Sequence, residues 1–247
     1  MNKKPVDYKQ TDPRWAKKPY RVPGETATIG GSGCGPTCAA MVIETLTGQT
    51  YTPVDACAWS VAHGYKAINQ GTYYGYFRPQ LAAFGVECRQ LLGSRLNRQP
   101  DHPIHDQVRQ YLQEGYYVIA LMGPGTWTSG GHFVLLWGWD DKVRINDPAS
   151  SKDKRLNGDP ATFRREARNY WLVDARDYNK EDDEMSYETW KEHMDRYRKE
   201  LRDKPPTMPD LLEEAKSMGL TDGSRPRDLV TREEAAIMAR AAAKHSR

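Results

Sequence analysis

The residue best suited to covalent chemistry is Cys34, which lies in the glycine-rich segment 30–36, GGSGCGP. The sequence predicts a helix immediately after it, because Pro36 suits a first helical turn and Gly48 ends a run of apolar residues at helical spacing. Backbone amides at the start of a helix lower the pKa of a cysteine and favour the thiolate, which is the nucleophilic form. This context predicts a nucleophile at Cys34 rather than a buried structural cysteine.

A base and an orienting acid are predicted on two strands near the middle of the chain. His132 follows the segment SGG and opens the apolar stretch FVLLW, so we expect its ring at the mouth of a strand, ready to take the thiol proton. Asp147 ends the next predicted strand, where its carboxylate would accept the second ring proton and fix the tautomer. Asp140 and Asp141 are rivals, but they fall in the turn between these strands and are expected to face water.

Donors for a developing oxyanion are also needed. The backbone amide of Cys34 is one candidate and the side-chain amide of Gln10, in the motif QTDPRW, is the second, although spacing alone does not identify it. We predict further substrate contacts from small or aromatic residues near these groups: Gly33, Gly35, Gly131 and Tyr74.

The remaining cysteines carry no motif of their own. Cys38 lies one helical turn after Cys34 and is predicted to pack in the core, while Cys57 and Cys88 stand alone. Zinc binding by Cys34, Cys38 and His132 is disfavoured because the chain offers no second closely spaced ligand pair. We therefore predict no metal and no cofactor, and interpret the acidic segment 181–184 as a linker rather than a calcium site.

These motifs occur in an order that resembles a known family. Residues 10–15 (QTDPRW), 33–37 (GCGPT), 131–134 (GHFV) and 146–148 (NDP) are similar to the C39-like group of papain-like cysteine peptidases. The resemblance implies a papain-like fold, with Cys34 as nucleophile, His132 as base, Asp147 as orienting acid and Gln10 as oxyanion donor. Family members that process leader peptides inside transporters carry membrane spans and an ATP-binding domain, which this sequence lacks, so that role is not expected.

The elements that must position these residues are predicted in two groups. Helices are expected first, over 36–47, 53–62 and 79–84, and another over 105–114. Strands are expected over 86–92, 116–122, 132–139, 142–146 and 169–173, with the pair around 140–141 forming a hairpin. Helices followed by a mostly antiparallel sheet indicate an α+β fold.

The composition changes after this region. We predict a peptidase domain over 1–178, a polar linker over 179–185 and a small all-helical module over 186–247. Its helices are expected over 185–201 and 211–218, and a capping box of Thr231 and Glu234 predicts a third. The segments 215–226 and 230–236, with Trp190 upstream, resemble a C-terminal module of bacteriophage endolysins and surface-layer homology repeats, which implies wall binding or self-association.

Composition excludes some partners. The net charge of +3 is too small to favour a nucleic-acid partner, and no apolar run is long enough for membrane insertion. The chain begins MNKKPVD, without the apolar segment of a signal peptide, so we expect synthesis in a cytoplasm with mostly reduced thiols. A phage enzyme of this kind would reach the wall after a holin opens the host membrane.

Three functions remain open at this point. The first is a peptidoglycan hydrolase of the endolysin type, either an endopeptidase or an N-acetylmuramoyl-L-alanine amidase, since both reactions are acyl transfers through a thioester. The second is an intracellular cysteine peptidase or amidase with a non-wall substrate. The third is an inactive papain-like binding module, which is disfavoured because all four predicted catalytic residues are present.

Overall fold

The computed structural model describes residues 2–180, 187–202, 206, 209–219 and 221. The chain divides into two compact units, 1–180 and 181–247. The first unit extends two residues past the predicted boundary at 178, because Asn179 donates to the carbonyl of Gly115 at 2.7 Å and its side-chain oxygen accepts from the amide of Lys3 at 2.9 Å.

Helices of the first unit enclose the sheet. They are α1 Ile29–Ser32, α2 Cys34–Thr47, α3 Pro53–Ala62, α4 Phe77–Ala82, α5 Ile104–Gln113, α6 Asp153–Leu156, α7 Pro160–Glu166 and α8 Arg176–Asn179, with a 3₁₀ turn at Tyr74–Tyr76. Helix α2 ends at Gly48, whose φ of 69° is the left-handed conformation that glycine adopts most easily. A capping box of Thr52 and Asp55 starts α3, with Pro53 in its first turn.

Six strands form one antiparallel sheet. They are β1 Cys88–Gln90, β2 Tyr117–Met122, β3 His132–Trp139, β4 Val143–Asn146, β5 Asn157–Gly158 and β6 Ala167–Val173, in the spatial order β1-β6-β2-β3-β4-β5. The ladder between β2 and β3 pairs Met122 with His132, and that between β3 and β4 pairs Leu135 with Asn146. The predicted α+β class, with helices packed on an antiparallel sheet, is confirmed.

Apolar side chains of the central strands alternate between two cores, as period-2 geometry requires. Ile119 and Leu121 face the core that contains α2 and α4, whereas Val118 and Ala120 face the one that contains α5 and α7. Helices thus cover both faces of the sheet, which explains why every residue of β2 is buried.

The sequence missed several short elements. Helix α1 occupies 29–32, where the sequence suggests a glycine-rich turn, and α6, β5, α7 and α8 have no counterpart in the sequence-based prediction. These segments have two to seven residues, too short for a hydrophobic period to be recognised.

The second unit contains two described helices, α9 Tyr187–Arg202 and α10 Pro209–Ser217. They agree with the helices predicted over 185–201 and 211–218. The third predicted helix, with Thr231 and Glu234, lies outside the described residues. Among the helices that the structure describes, none has the length and apolarity needed to cross a bilayer.

Candidate active site

Cys34 is the first residue of α2 and is partly exposed. Gly33 lies between α1 and α2, and a Cβ there would come within 2.7 Å of the Ile29 carbonyl oxygen. A Cβ on Gly35 would lie 3.1 Å from the Thr72 hydroxyl and 3.4 Å from the Phe133 ring. Glycine at these positions therefore lets the start of α2 pack closely against its neighbours, with Cys34 at the surface of the cleft.

His132 is the first residue of β3, and its ring lies between Cys34 and Asp147. Its Nε2 is 2.8 Å from Oδ1 of Asp147. The thiol of Cys34 lies close enough to the ring for each group to shift the pKa of the other. Because Nε2 is occupied by the carboxylate, Nδ1 is the nitrogen that faces the thiol. The side chain of His132 is 7% exposed and that of Asp147 is fully buried.

Asp147 follows directly after β4 and uses both carboxylate oxygens. Oδ1 accepts from the amide of Ala149 at 2.8 Å as well as from His132, and Oδ2 accepts from Nε of Arg155 at 2.6 Å. Burial raises the pKa of this carboxyl, but the hydrogen bond and charge of His132, the Ala149 amide and the Arg155 charge lower it below its ordinary value. The group is therefore an ionised, immobilised acceptor.

The electrostatics favour a thiolate and an imidazolium. Burial raises the pKa of the Cys34 thiol, but the hydrogen bond and positive charge of His132 and the amides of Phe133 and Gly35 bring it below its usual value. Burial lowers the pKa of His132, whereas Asp147 and Cys34 raise it to about 9. These two titrations belong to the coupled pair rather than to either residue alone.

Gln10 lies beside this pair and is 5% exposed. Its backbone amide donates to the carbonyl of Pro148 at 2.8 Å, and its Nε2 donates to the carbonyl of Gly30 at 2.8 Å. One hydrogen of Nε2 is therefore left for another acceptor, while Oε1 is buried without a hydrogen-bond partner in the described residues. This arrangement is compatible with a donor aimed at an oxyanion.

Gln10, Cys34 and His132 line one cleft of about 800 Å³, and Asp147 is buried behind His132. Of the predicted substrate contacts, Gly131 and Tyr74 lie on the cleft wall, and Tyr74 packs edge-to-face on Phe133. Gly33 and Gly35 are buried and do not line the cleft. Their predicted contact with substrate is thus not supported by their position, because their missing side chains accommodate Ile29, Thr72 and Phe133 instead.

Sequence reasoning missed two charged residues of this cleft, Arg155 and Glu25. Arg155 of α6 contacts Asp147, and no motif marks it because it lies in the polar segment 150–156. Glu25 and Lys66 form an ion pair at 2.8 Å with both side chains almost completely buried, and Glu25 lines the cleft. They are 41 residues apart in sequence, so only the fold brings them together.

Rival residues lie elsewhere. The side chains of Asp140 and Asp141 are 41% and 78% exposed and both contact Arg144. His105 is fully buried in α5, between the Tyr170 hydroxyl at 2.7 Å and the Gln99 carbonyl at 2.9 Å.

All four cysteines are free. Burial raises the pKa of the thiols of Cys38 and Cys57 well above the ordinary value, and that of Cys88 to about 12. Cys34 is therefore the one thiol whose pKa is lowered. In the described part of the chain, no group of three or more His, Cys, Asp or Glu side chains has a metal-binding arrangement.

Comparison with known proteins now identifies the class. None of the curated proteins compared with the chain matches it. The profile of the Peptidase_C39 like family matches residues 8–179, a range that contains Gln10, Cys34, His132 and Asp147. This confirms the C39-like resemblance and places the chain among cysteine peptidases, whereas the phage context stays a prediction. Because the match spans more than half of the sequence, the chain belongs to the Peptidase_C39 like family.

Proposed function

We propose that this protein hydrolyses a peptide or amide bond of bacterial peptidoglycan through a thiol mechanism, as the lytic enzyme of a bacteriophage. The observation that carries the hydrolytic part is the hydrogen bond of His132 to the buried Asp147, with Cys34 beside the same imidazole and its thiol pKa lowered by it. The wall substrate is supported by the resemblance of the C-terminal segments 215–226 and 230–236 to modules of endolysins.

The reaction begins from the thiolate of Cys34 and the imidazolium of His132. The sulfur of Cys34 attacks the substrate carbonyl carbon, and the carbonyl oxygen becomes an oxyanion that accepts hydrogen bonds from the Cys34 amide and from Nε2 of Gln10. His132 gives its Nδ1 proton to the leaving nitrogen, the C–N bond breaks, and a thioester remains on Cys34.

Hydrolysis of the thioester completes the cycle. His132, now neutral, takes a proton from water while the water oxygen attacks the thioester carbonyl. The C–S bond then breaks, the acid is released and the thiolate–imidazolium pair is restored. Asp147 keeps the ring in one tautomer and stabilises its charge during both steps, without taking up a proton itself.

A wall-clearing assay tests the proposal. Purified Gram-positive cell walls are incubated with wild type, with Cys34→Ala and with Cys88→Ala as a matched control, because Cys88 lies outside the cleft and has a raised pKa. We expect clearing by wild type and Cys88→Ala only, and mass spectrometry of the fragments distinguishes an endopeptidase from an amidase.

Two outcomes would overturn the proposal. Clearing by Cys34→Ala at the wild-type rate would remove Cys34 as nucleophile. Absence of clearing across several wall chemotypes, combined with Cys34-dependent hydrolysis of protein or small amide substrates, would instead establish a peptidase with a non-wall substrate.

A further inference from the structure

Arg155 is the second charged partner of Asp147, and both its side chain and its backbone carbonyl form hydrogen bonds. Its Nε donates to Oδ2 of Asp147 at 2.6 Å, and its backbone carbonyl accepts from Nε1 of Trp127 at 3.0 Å. Both Arg155 and Trp127 line the cleft that contains Cys34. The guanidinium is thus fixed beside the candidate catalytic residues rather than free to move in solvent.

The other end of this guanidinium is left without partners. Nη2 is buried and makes no hydrogen bond to any residue that the structure describes, and Nη1 makes none there either. The side chain is 17% exposed, and this part opens on the cleft. Buried polar groups are normally hydrogen-bonded, and a guanidinium with unpartnered nitrogens beside a cleft is suited to donate to a carboxylate.

The charged groups around the cleft occur in balanced pairs. Its charged lining residues are Arg155, His132, Cys34 and Glu25. The thiolate of Cys34 and the imidazolium of His132 balance each other, and the carboxylate of Glu25 is bound by Lys66. Asp147 balances Arg155 in the same way, so these groups carry no net charge, and Arg155 would hold an anion through its unpartnered nitrogens rather than through excess positive charge.

The position of Arg155 indicates which half of the substrate it meets. His132 delivers its proton to the leaving nitrogen, so the leaving group lies on the His132 side of Cys34. Arg155 is on that side, because it shares Asp147 with His132. We propose that Arg155 is a specificity-determining residue that binds a free carboxylate on the leaving-group half of the substrate; this inference rests on the proposed acyl transfer at Cys34.

The test compares ligands that differ only in a carboxylate. The probes are four tripeptides that contain L-alanine, a γ-linked second residue and L-lysine. The second residue is either D-glutamate or D-isoglutamine, and the C-terminus is either an acid or an amide. Their binding to Cys34→Ala is measured by calorimetry, so the readout does not require hydrolysis. We expect the fully amidated peptide to bind at least about tenfold more weakly than the best carboxylate-bearing peptide. The two peptides with only one carboxylate distinguish an internal carboxylate from a terminal one.

Substitutions separate recognition from support of Asp147. In the Cys34→Ala background, Arg155→Gln is expected to abolish the preference for carboxylate and Arg155→Lys to reduce it. Arg164→Gln is the matched control, because Arg164 binds Asp106 outside the cleft, and it should keep the full preference. A merely structural arginine would change the affinity for all four peptides by the same factor.

The proposal is overturned by equal affinity for acid and amide, by a preference that persists in Arg155→Gln, or by absence of binding of every probe at millimolar concentration. These results are independent of wall clearing. Wall clearing without a carboxylate preference would leave the proposed function standing and remove only the role of Arg155. A carboxylate preference without wall clearing would keep the role of Arg155 and remove the wall substrate.

Discussion

Lys66 and Glu25 form an ion pair at 2.8 Å, and their side chains are 0% and 2% exposed. Lys66 also donates to the carbonyls of Ala67 and Gln70, and Glu25 accepts from the amide of Asn69. The pair therefore joins two segments, around 25 and around 70, that form one wall of the cleft.

Loss of this pair should deform that wall. In Lys66→Met, the Glu25 carboxylate loses its cation and two carbonyls lose a donor, so we expect a lower melting temperature and a higher KM. Thermal unfolding and steady-state kinetics measure these effects, and Lys17→Met, a change at an exposed position, is the control. An unchanged KM in a folded Lys66→Met protein would show that the pair does not shape the cleft.

The activity should have a bell-shaped pH profile. The raised pKa of His132 means that the imidazolium is present below about 9 and is lost above it, so kcat/KM should fall as pH rises through 9. The pKa of Cys34 is lowered, so its thiolate persists at pH values below the ordinary pKa of a thiol. It is lost when the pH falls through the lowered pKa of Cys34, which gives the acid limb of the profile. Rates of iodoacetamide alkylation of Cys34 against pH provide a second measurement. An alkaline limb near 7 would contradict the assigned ion pair.

Asp147→Asn should narrow the pH range of activity and lower kcat. Without the carboxylate charge the imidazolium is less stable, so the pKa of His132 falls and that of Cys34 rises. We expect kcat to decrease by about 10²–10⁴-fold, because the ring loses its fixed tautomer and its stabilising charge. A variant with the wild-type alkaline limb would show that Asp147 does not act on His132.

Gln10→Ala tests the oxyanion donor. Removal of one such donor typically lowers kcat by about 10²–10³-fold while KM changes little, because the interaction is made in the transition state. Gln10 also donates to Gly30, so thermal unfolding of the variant must be measured in parallel. A weaker affinity for substrate with an unchanged kcat would instead assign Gln10 to ground-state binding.

Removal of the second unit should separate targeting from chemistry. A protein that ends at Lys180 keeps Asn179 and its bonds to Gly115 and Lys3, so we expect the first unit to fold and to hydrolyse small peptides. Sedimentation with purified walls should show weaker binding than for the full chain. Unchanged sedimentation would remove the wall-binding role of residues 181–247 and favour self-association.

Long elements could be predicted from the sequence because their patterns are regular. The helix after Cys34 combines a proline start, an apolar face and a glycine end, and the strand over 117–122 is apolar throughout. The family was also recognisable, since its motifs are short but occur in a fixed order.

Features that depend on tertiary contacts could not be predicted. Arg155 is eight residues after Asp147 in a polar segment, and only the turn through α6 brings the two side chains together. The sequence predicts substrate contacts at Gly33 and Gly35, but it does not tell which neighbour occupies the space beside a glycine. The structure shows that space filled by Ile29, Thr72 and Phe133.

The strand order has a consequence for synthesis on the ribosome. Strand β6, the last of the sheet in sequence, lies between β1 and β2, so neither neighbour has its full set of partners until residue 173 has emerged. Cys34, His132 and Asp147 are all translated earlier, but β2, which pairs with the start of β3, is bordered on its other side by β6. A nascent chain is therefore expected to complete the sheet beside the catalytic residues only when almost all of the first unit has been translated.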